Sequence, residues 1–164
     1  MNKAIFLDRD GVINEEVGEY ITRVADFKVL PHAVEGIKKF NDAGWQVVII
    51  TNQGGIAKGL YTAAELDQMH RLMQQQLAEV TAHVDLIYYC PHHPDFGKCL
   101  CRKPDSLMVQ KALARLNVSP VHAAFIGDKQ RDIESAAGAS VKGYLIEPNE
   151  NWVPLADEII QKIS

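Results

Sequence analysis

The chain's 164 residues, 47% of them hydrophobic and 23% charged, are enough for a single domain over 1–164 with an ordinary core. A formal net charge of −4 and the lack of any Lys/Arg run exclude a general nucleic-acid binder, which needs a basic footprint. No run of about 18 apolar residues spans a bilayer and no charged, apolar signal segment opens the chain, so the expectation is a cytoplasmic monomer with no membrane partner.

Ala4 to Leu7 is apolar without alternation and stops at charge, the mark of a strand buried on both faces. It delivers Asp8 and Asp10 to a turn at Gly11. After an irregular stretch, Ala33, Val34, Ile37 and Phe40 share a helical face that ends at Gly44. Trp45 to Ile50 is a second continuous apolar strand, with Thr51-Asn52-Gln53-Gly54-Gly55 as a polar, glycine-rich loop at its end. Thr62 and Glu65 have capping-box spacing, and Leu66, Met69, Met73, Leu77 and Val80 then carry the longest helix expected. Leu86 to Tyr89 is a third strand and Ser106 to Leu116 a helix ending near Asn117. Ala123 to Ile126 makes a fourth strand, running into Gly127-Asp128, and a short helix over Ile133 to Ala137 stops at Gly138. Lys142 to Ile146 and Val153 to Ile163 close the chain as strand and helix.

This alternation predicts an α/β fold, a Rossmann-like parallel sheet with helices on both faces. Such sheets bind ligands beyond their carboxyl ends. Asp8, Asp10, Thr51 and Asp128 all fall there, so one sheet edge collects them. Two acids as close as Asp8 and Asp10 need a cation or a shared proton. If Asp8, Asp10 and Asp128 converge, three carboxylates share one Mg2+, a hard cation that also holds phosphate oxygens. Thr51 and Lys103 would then contact phosphoryl oxygens, and Arg102 adds a bidentate fork. One aspartate can attack phosphorus while its neighbour moves the proton. Taken singly, each residue has a plainer account: Thr51 as a turn cap, Arg102 and Lys103 as solvated charges, Asp128 as a helix N-cap.

Cys90, Cys99 and Cys101, with His92 and His93 between them, are the only cysteines, an odd number packed into twelve positions, which suits thiolate metal ligation in a reducing compartment better than a disulfide framework. Three thiolates and one imidazole suffice for a closed tetrahedral Zn2+ site, which is structural. Such a site staples a loop that has few apolar residues of its own and places the adjacent Arg102 and Lys103. His32, His70, His83 and His122 lack ligand spacing and read as surface or helix-terminal residues. Trp45 and Trp152 read as core or flank aromatics.

Asp8-Arg9-Asp10-Gly11, Thr51-Asn52-Gln53, Arg102-Lys103-Pro104 and Gly127-Asp128-x-x-x-Asp132 resemble, in that order, the four motifs of the haloacid dehalogenase superfamily of phosphatases. The resemblance implies Asp8 as nucleophile, Asp10 as general acid/base, and Thr51 and Lys103 as phosphate binders. It further implies Mg2+ held by Asp8, the backbone carbonyl of Asp10 and Asp128, with Asp132 in support. The added Cys/His loop resembles a narrower family, the D-glycero-D-manno-heptose 1,7-bisphosphate 7-phosphatases, which implies His92 as the zinc-binding imidazole and a sugar bisphosphate as substrate. Asn14 to Phe27 and Asn52 to Gly59 resemble that family's substrate loops, and the implied product is an intermediate of nucleotide-activated heptose synthesis. Histidinol-phosphate phosphatases are similar nearly to the same degree. A zinc-binding interaction module is the rival of a different class, although no basic recognition helix follows the loop. Residues 93–98 alone separate His92 from Cys99, shorter than in other versions of the loop. Residues 15–30 leave no room for the helical cap that many relatives insert, so an open site without a large cap domain is expected.

Overall fold

Continuous apolar strands must be covered on both sides, and the chain meets that demand with two helical layers. A computed structural model describes residues 1–164. It holds five parallel strands, β1 (Ala4–Leu7), β2 (Gln46–Asn52), β3 (Leu86–Cys90), β4 (Ala123–Gly127) and β5 (Lys142–Leu145), in the order β3-β2-β1-β4-β5. Side chains alternate between faces. Ile5, Leu7, Val47, Ile49, Ala124 and Ile126 join one core beneath α1 (Pro31–Asp42), α2 (Ala63–Ala78) and α5 (Val153–Lys162). Ala4, Phe6, Val48, Ile50, Ala123 and Phe125 join the other beneath α3 (Leu107–Leu116) and α4 (Gln130–Gly138). Trp152 is fully buried in the first core, where it fits only because Gly36 has no Cβ to overlap its ring. Its Nε1 donates to Val12 O at 2.8 Å, tying α5 to the turn that carries the acids.

The strand order reverses at β1, which pairs with β2 on one side and β4 on the other. That reversal opens a crevice beyond the strand ends, where α/β sheets take ligands. Residues 15–30 contain only the short turn Val24–Asp26, so no cap domain covers the crevice.

Several boundaries differ from the sequence reading. β2 continues to Asn52, because Thr51 and Asn52 pair with Tyr89 and Cys90 of β3. α4 starts at Gln130, with the Asp132 carboxylate accepting Lys129 N–H ahead of the first turn. β5 stops at Leu145. α2 ends at Ala78, leaving Val80 41% exposed beyond it. His70 also departs from expectation: it lies mid-helix on the buried face of α2. No helix is long and apolar enough to cross a membrane.

Candidate active site

Parallel register sets Leu7 of β1 beside Ile126 of β4, so Asp8 and Asp128 follow from adjacent strand ends. Carboxylate oxygens of Asp8, Asp128 and Asp132 lie within 4.8 Å of one another, and all three residues are buried. Lys103, 1% exposed, reaches into them from the loop after the cysteines. Its Nζ lies 2.9 Å from Asp8 Oδ1 and 2.6 Å from Asp132 Oδ1, and donates to Ile50 O at 2.8 Å. Burial works against its charge, yet the Asp8 and Asp132 carboxylates hold its pKa above the ordinary lysine value. Asp8 Oδ1 also accepts Arg9 N–H at 2.8 Å.

One ammonium does not balance three buried acids. Both Asp128 oxygens are enclosed without a hydrogen-bond partner. Burial, then the neighbouring Asp8, pushes Asp128 up to about 7, and the same causes push Asp132 to about 6 against the pull of Lys103. Lys129 Nζ stands 3.6 Å from Asp128 Oδ2 on a side chain that is 43% exposed. A hard divalent cation fits this donor set, since it supplies charge and takes oxygen ligands. Gly11, at φ 86°, packs so closely on Asp128 that an added Cβ would overlap Oδ2.

The Asp10 carboxylate does not converge with those of Asp8 and Asp128, which leaves the arrangement the resemblance implies, with the Asp10 carbonyl towards the cation and the carboxylate free, as the one to propose. The turn at Gly11 ends the strand's two-residue period, and the Asp10 carboxylate faces other partners. Its Oδ1 accepts from Arg9 Nη2 at 2.8 Å and Asn14 Nδ2 at 2.9 Å, and its Oδ2 from Gln53 Nε2 at 3.1 Å. Burial alone would raise its pKa, but Arg9 and these donors hold it below the usual carboxylate value. The Asp10 carbonyl accepts no hydrogen bond from the chain. Asp132, not Asp10, completes the acid cluster.

The residues around Asp10 escaped sequence reasoning. Arg9 is 1% exposed, its guanidinium 5.1 Å from the Phe27 ring centroid and its Nη1 3.5 Å from His70 Nε2. Burial, then Arg9, lowers the His70 pKa to about 4, so the ring is neutral near pH 7. Tyr61 donates to Gln53 Oε1 at 2.5 Å, and Gln53 Nε2 also reaches Thr51 Oγ1 at 2.9 Å. The one available signal was polarity at positions flanked by core residues: Arg9 after β1, and His70 beside Met69 on an apolar face.

Thr51 is buried at the end of β2. Asn52 lines the cleft, but its amide exchanges two hydrogen bonds with the Lys103 backbone, at 2.9 and 3.1 Å. A pair of that kind contributes about 1 kcal/mol per bond and fixes the Lys103 loop to the sheet. Arg102 Nη1 donates to His92 O at 3.0 Å, so this side chain touches both the zinc loop and the cleft. The cleft, about 260 Å³, is rimmed by Glu16, Glu19, Tyr20, Arg102, Lys129 and Arg131.

The four nominated zinc ligands converge. Cys90 Sγ lies 2.8 Å from Cys101 Sγ and 3.6 Å from Cys99 Sγ, and His92 Nδ1 lies 3.3 and 3.4 Å from the Cys101 and Cys90 sulfurs. The N–S separations match a tetrahedron with metal–ligand bonds of about 2.0–2.3 Å. His93 stands outside, its Nδ1 accepting Asp95 N–H at 3.2 Å. Burial pushes the Cys90 thiol up to about 12, so metal binding here displaces a proton.

Residues 2–140 match the family model described as haloacid dehalogenase-like hydrolase. The chain is 39% identical over 148 residues, 87% of its length and 79% of the relative's, to D-glycero-beta-D-manno-heptose-1,7-bisphosphate 7-phosphatase of Haemophilus influenzae. It is 34% identical to D-glycero-alpha-D-manno-heptose-1,7-bisphosphate 7-phosphatase of Photorhabdus laumondii, covering 92% of this chain and 90% of that one. The crystal structure of the D,D-heptose 1,7-bisphosphate phosphatase of Bordetella bronchiseptica, complexed with magnesium and phosphate, superposes with a TM-score of 0.91 at 32% identity, covering 98% and 99% of the two chains.

Proposed function

The chain belongs to the haloacid dehalogenase-like hydrolases, and from that premise we propose that it removes the C7 phosphate of D-glycero-D-manno-heptose 1,7-bisphosphate, with residues 1–164 as one phosphatase domain. The observation that carries this reading is the division of labour between two aspartates. Asp8 sits among acids against Lys103, and Asp10 sits apart in its own set of donors. Two carboxyl groups with such different surroundings suit two roles.

Asp8 attacks phosphorus, forming an aspartyl-phosphate as the bond between phosphorus and the C7 oxygen breaks. Asp10, ionised in the resting site, takes up a proton as the phosphate ester binds and gives it to that oxygen, then takes one from the water that attacks phosphorus, frees phosphate and restores Asp8. Lys103 and the Thr51 hydroxyl hold the phosphoryl oxygens in place. Asn52 acts through Lys103, whose backbone it grips. Asp8, the Asp10 carbonyl and Asp128 would hold Mg2+, which supplies positive charge against the phosphoryl group. Asp132 keeps Lys103 charged and in line. Zn2+ on Cys90, His92, Cys99 and Cys101 would fix the loop that carries Arg102 towards the sugar. A reducing cytoplasm keeps those thiols free, and the enzyme works there as a monomer.

The test is phosphate release from both anomers of the heptose bisphosphate and from histidinol phosphate. The reading expects kcat/KM at least about a hundredfold higher for one heptose bisphosphate than for histidinol phosphate. A preference for histidinol phosphate would replace the substrate, and hydrolysis of none of the three would return the chain to a binding role.

A further inference from the structure

Substrate selection in an uncapped cleft falls to its rim, and one limb of that rim has few tethers. Glu16, Gly18, Glu19, Tyr20 and Ile21 line the cleft. The loop is closed at its base by Glu15 N–H donating to Lys28 O at 2.9 Å and is anchored further on by buried Ile21 and Phe27. Between those points Val17 to Tyr20 is exposed. Only one residue outside the loop hydrogen-bonds to residues 16–22, and it comes from the far end of the chain. Asn149, between β5 and α5, accepts Glu16 N–H on Oδ1 at 2.7 Å and donates from Nδ2 to Glu16 O at 3.0 Å. Its own N–H donates to Gly11 O at 2.8 Å, in the turn that follows Asp10. Asn149 adopts φ 66°, a left-handed conformation that asparagine tolerates better than most side chains.

From this geometry we infer that Asn149 is a positioning residue for substrate selection: it clamps the Glu16–Tyr20 limb against the turn at Gly11 and so sets where the rim meets the sugar. The inference rests on the function proposed above. Asn149 reaches no reacting group; it acts by removing freedom from Glu16, which would otherwise have to be ordered on binding. The far end of the same limb has a weaker hold, Lys58 Nζ standing 5.5 Å from the Tyr20 ring centroid.

Three variants separate the clamp from its backbone. Asn149→Gly keeps the positive φ and loses the side chain, Asn149→Ala loses both, and Asn149→Asp keeps the acceptor for Glu16 N–H but not the donor. For Asn149→Gly the expected result is a KM for heptose bisphosphate raised about tenfold, with kcat lowered less than about threefold. The Asp variant recovers part of that KM. Kinetics on p-nitrophenyl phosphate, too small to span the rim, change less than about threefold. Amide hydrogen exchange at Glu16, whose N–H Asn149 accepts, accelerates about tenfold or more in Asn149→Gly while β1 and β4 stay protected. Unaltered exchange overturns the clamp, and faster exchange with unaltered KM overturns its part in selection. The exchange measurement needs no substrate, so wild-type protein inert towards heptose bisphosphate overturns the proposed function and leaves the clamp to be decided separately.

Discussion

The acid centre and the zinc loop adjoin through Arg102 and Lys103, yet they are assembled in opposite ways. Asp8, Lys103, Asp128 and Asp132 come from distant parts of the chain, and every one is buried. Their convergence is a product of strand register and of two hydrophobic cores, and it precedes any ligand. The zinc ligands lie within residues 90–101, and none of residues 91–102 is buried. That loop has too little apolar surface to offset its ordering entropy, so metal binding is its folding energy. The difference teaches where each centre is fragile: one to loss of a charge, the other to loss of its ion.

The largest expected effect tests the acid centre. Asp8→Asn removes the proposed nucleophile and should lower kcat about 10⁴-fold or more, while relieving like-charge repulsion and so leaving the melting temperature level or higher. Near-wild-type turnover would show that another group attacks phosphorus.

Next comes the zinc loop, through Cys99→Ser. Zinc content should fall from one ion per chain towards zero, and activity about 10- to 100-fold as Arg102 loses its platform. Rapid hydrogen exchange should appear in residues 91–102 alone. Full zinc content by elemental analysis would remove Cys99 from the ligand set, and activity intact without zinc would uncouple the two centres.

A smaller effect follows from the raised pKa values. In metal-free protein Asp128 and Asp132 titrate near 7 and 6, above the value of about 4 in an unfolded chain. The folded state therefore holds protons longer. The stability these groups contribute is full below about pH 4 and is lost as pH rises through 6 and 7. Mg2+ held by Asp128 would take the place of its proton, so excess Mg2+ should raise the melting temperature by about 4 °C or more at pH 8 and by about 1 °C or less at pH 5. Equal shifts at both values would put the ion elsewhere.

The smallest prediction lies outside both centres. Thr62 and Glu65 close a capping box at the start of α2. Thr62→Ala should cost about 1 kcal/mol of stability with kcat and KM unchanged. A fall in kcat would mean that general destabilisation, rather than the loop, explains the effect of zinc loss.

The sequence was most legible where physics is local. Unbroken apolar runs of the β1 and β4 type have no stable place except inside a parallel sheet, and a capping box needs only four neighbouring residues. The four candidate zinc ligands likewise fall within twelve consecutive positions, and the motifs at Asp8, Thr51 and Asp128 lie at strand ends. Some boundaries slipped where partners decide them. Thr51 and Asn52 are polar, yet they remain in β2 because β3 offers them a ladder. A simple convergence of the Asp8, Asp10 and Asp128 carboxylates fails for a related reason: the two-residue period of a strand holds only while the strand lasts, and Gly11 ends it.

What the sequence by itself determined is the α/β alternation, the strand-end positions of the acids and the grouping of the cysteines, since each depends on spacing along the chain. The tertiary structure alone decided that Asp132 joins the acid cluster and Asp10 leaves it, that Arg9 and His70 share a buried pocket beside Asp10, and that Asn149 meets Glu16. Those are contacts between residues up to 133 positions apart, and which side chains meet at such range depends on strand order and helix packing, which local pattern does not encode.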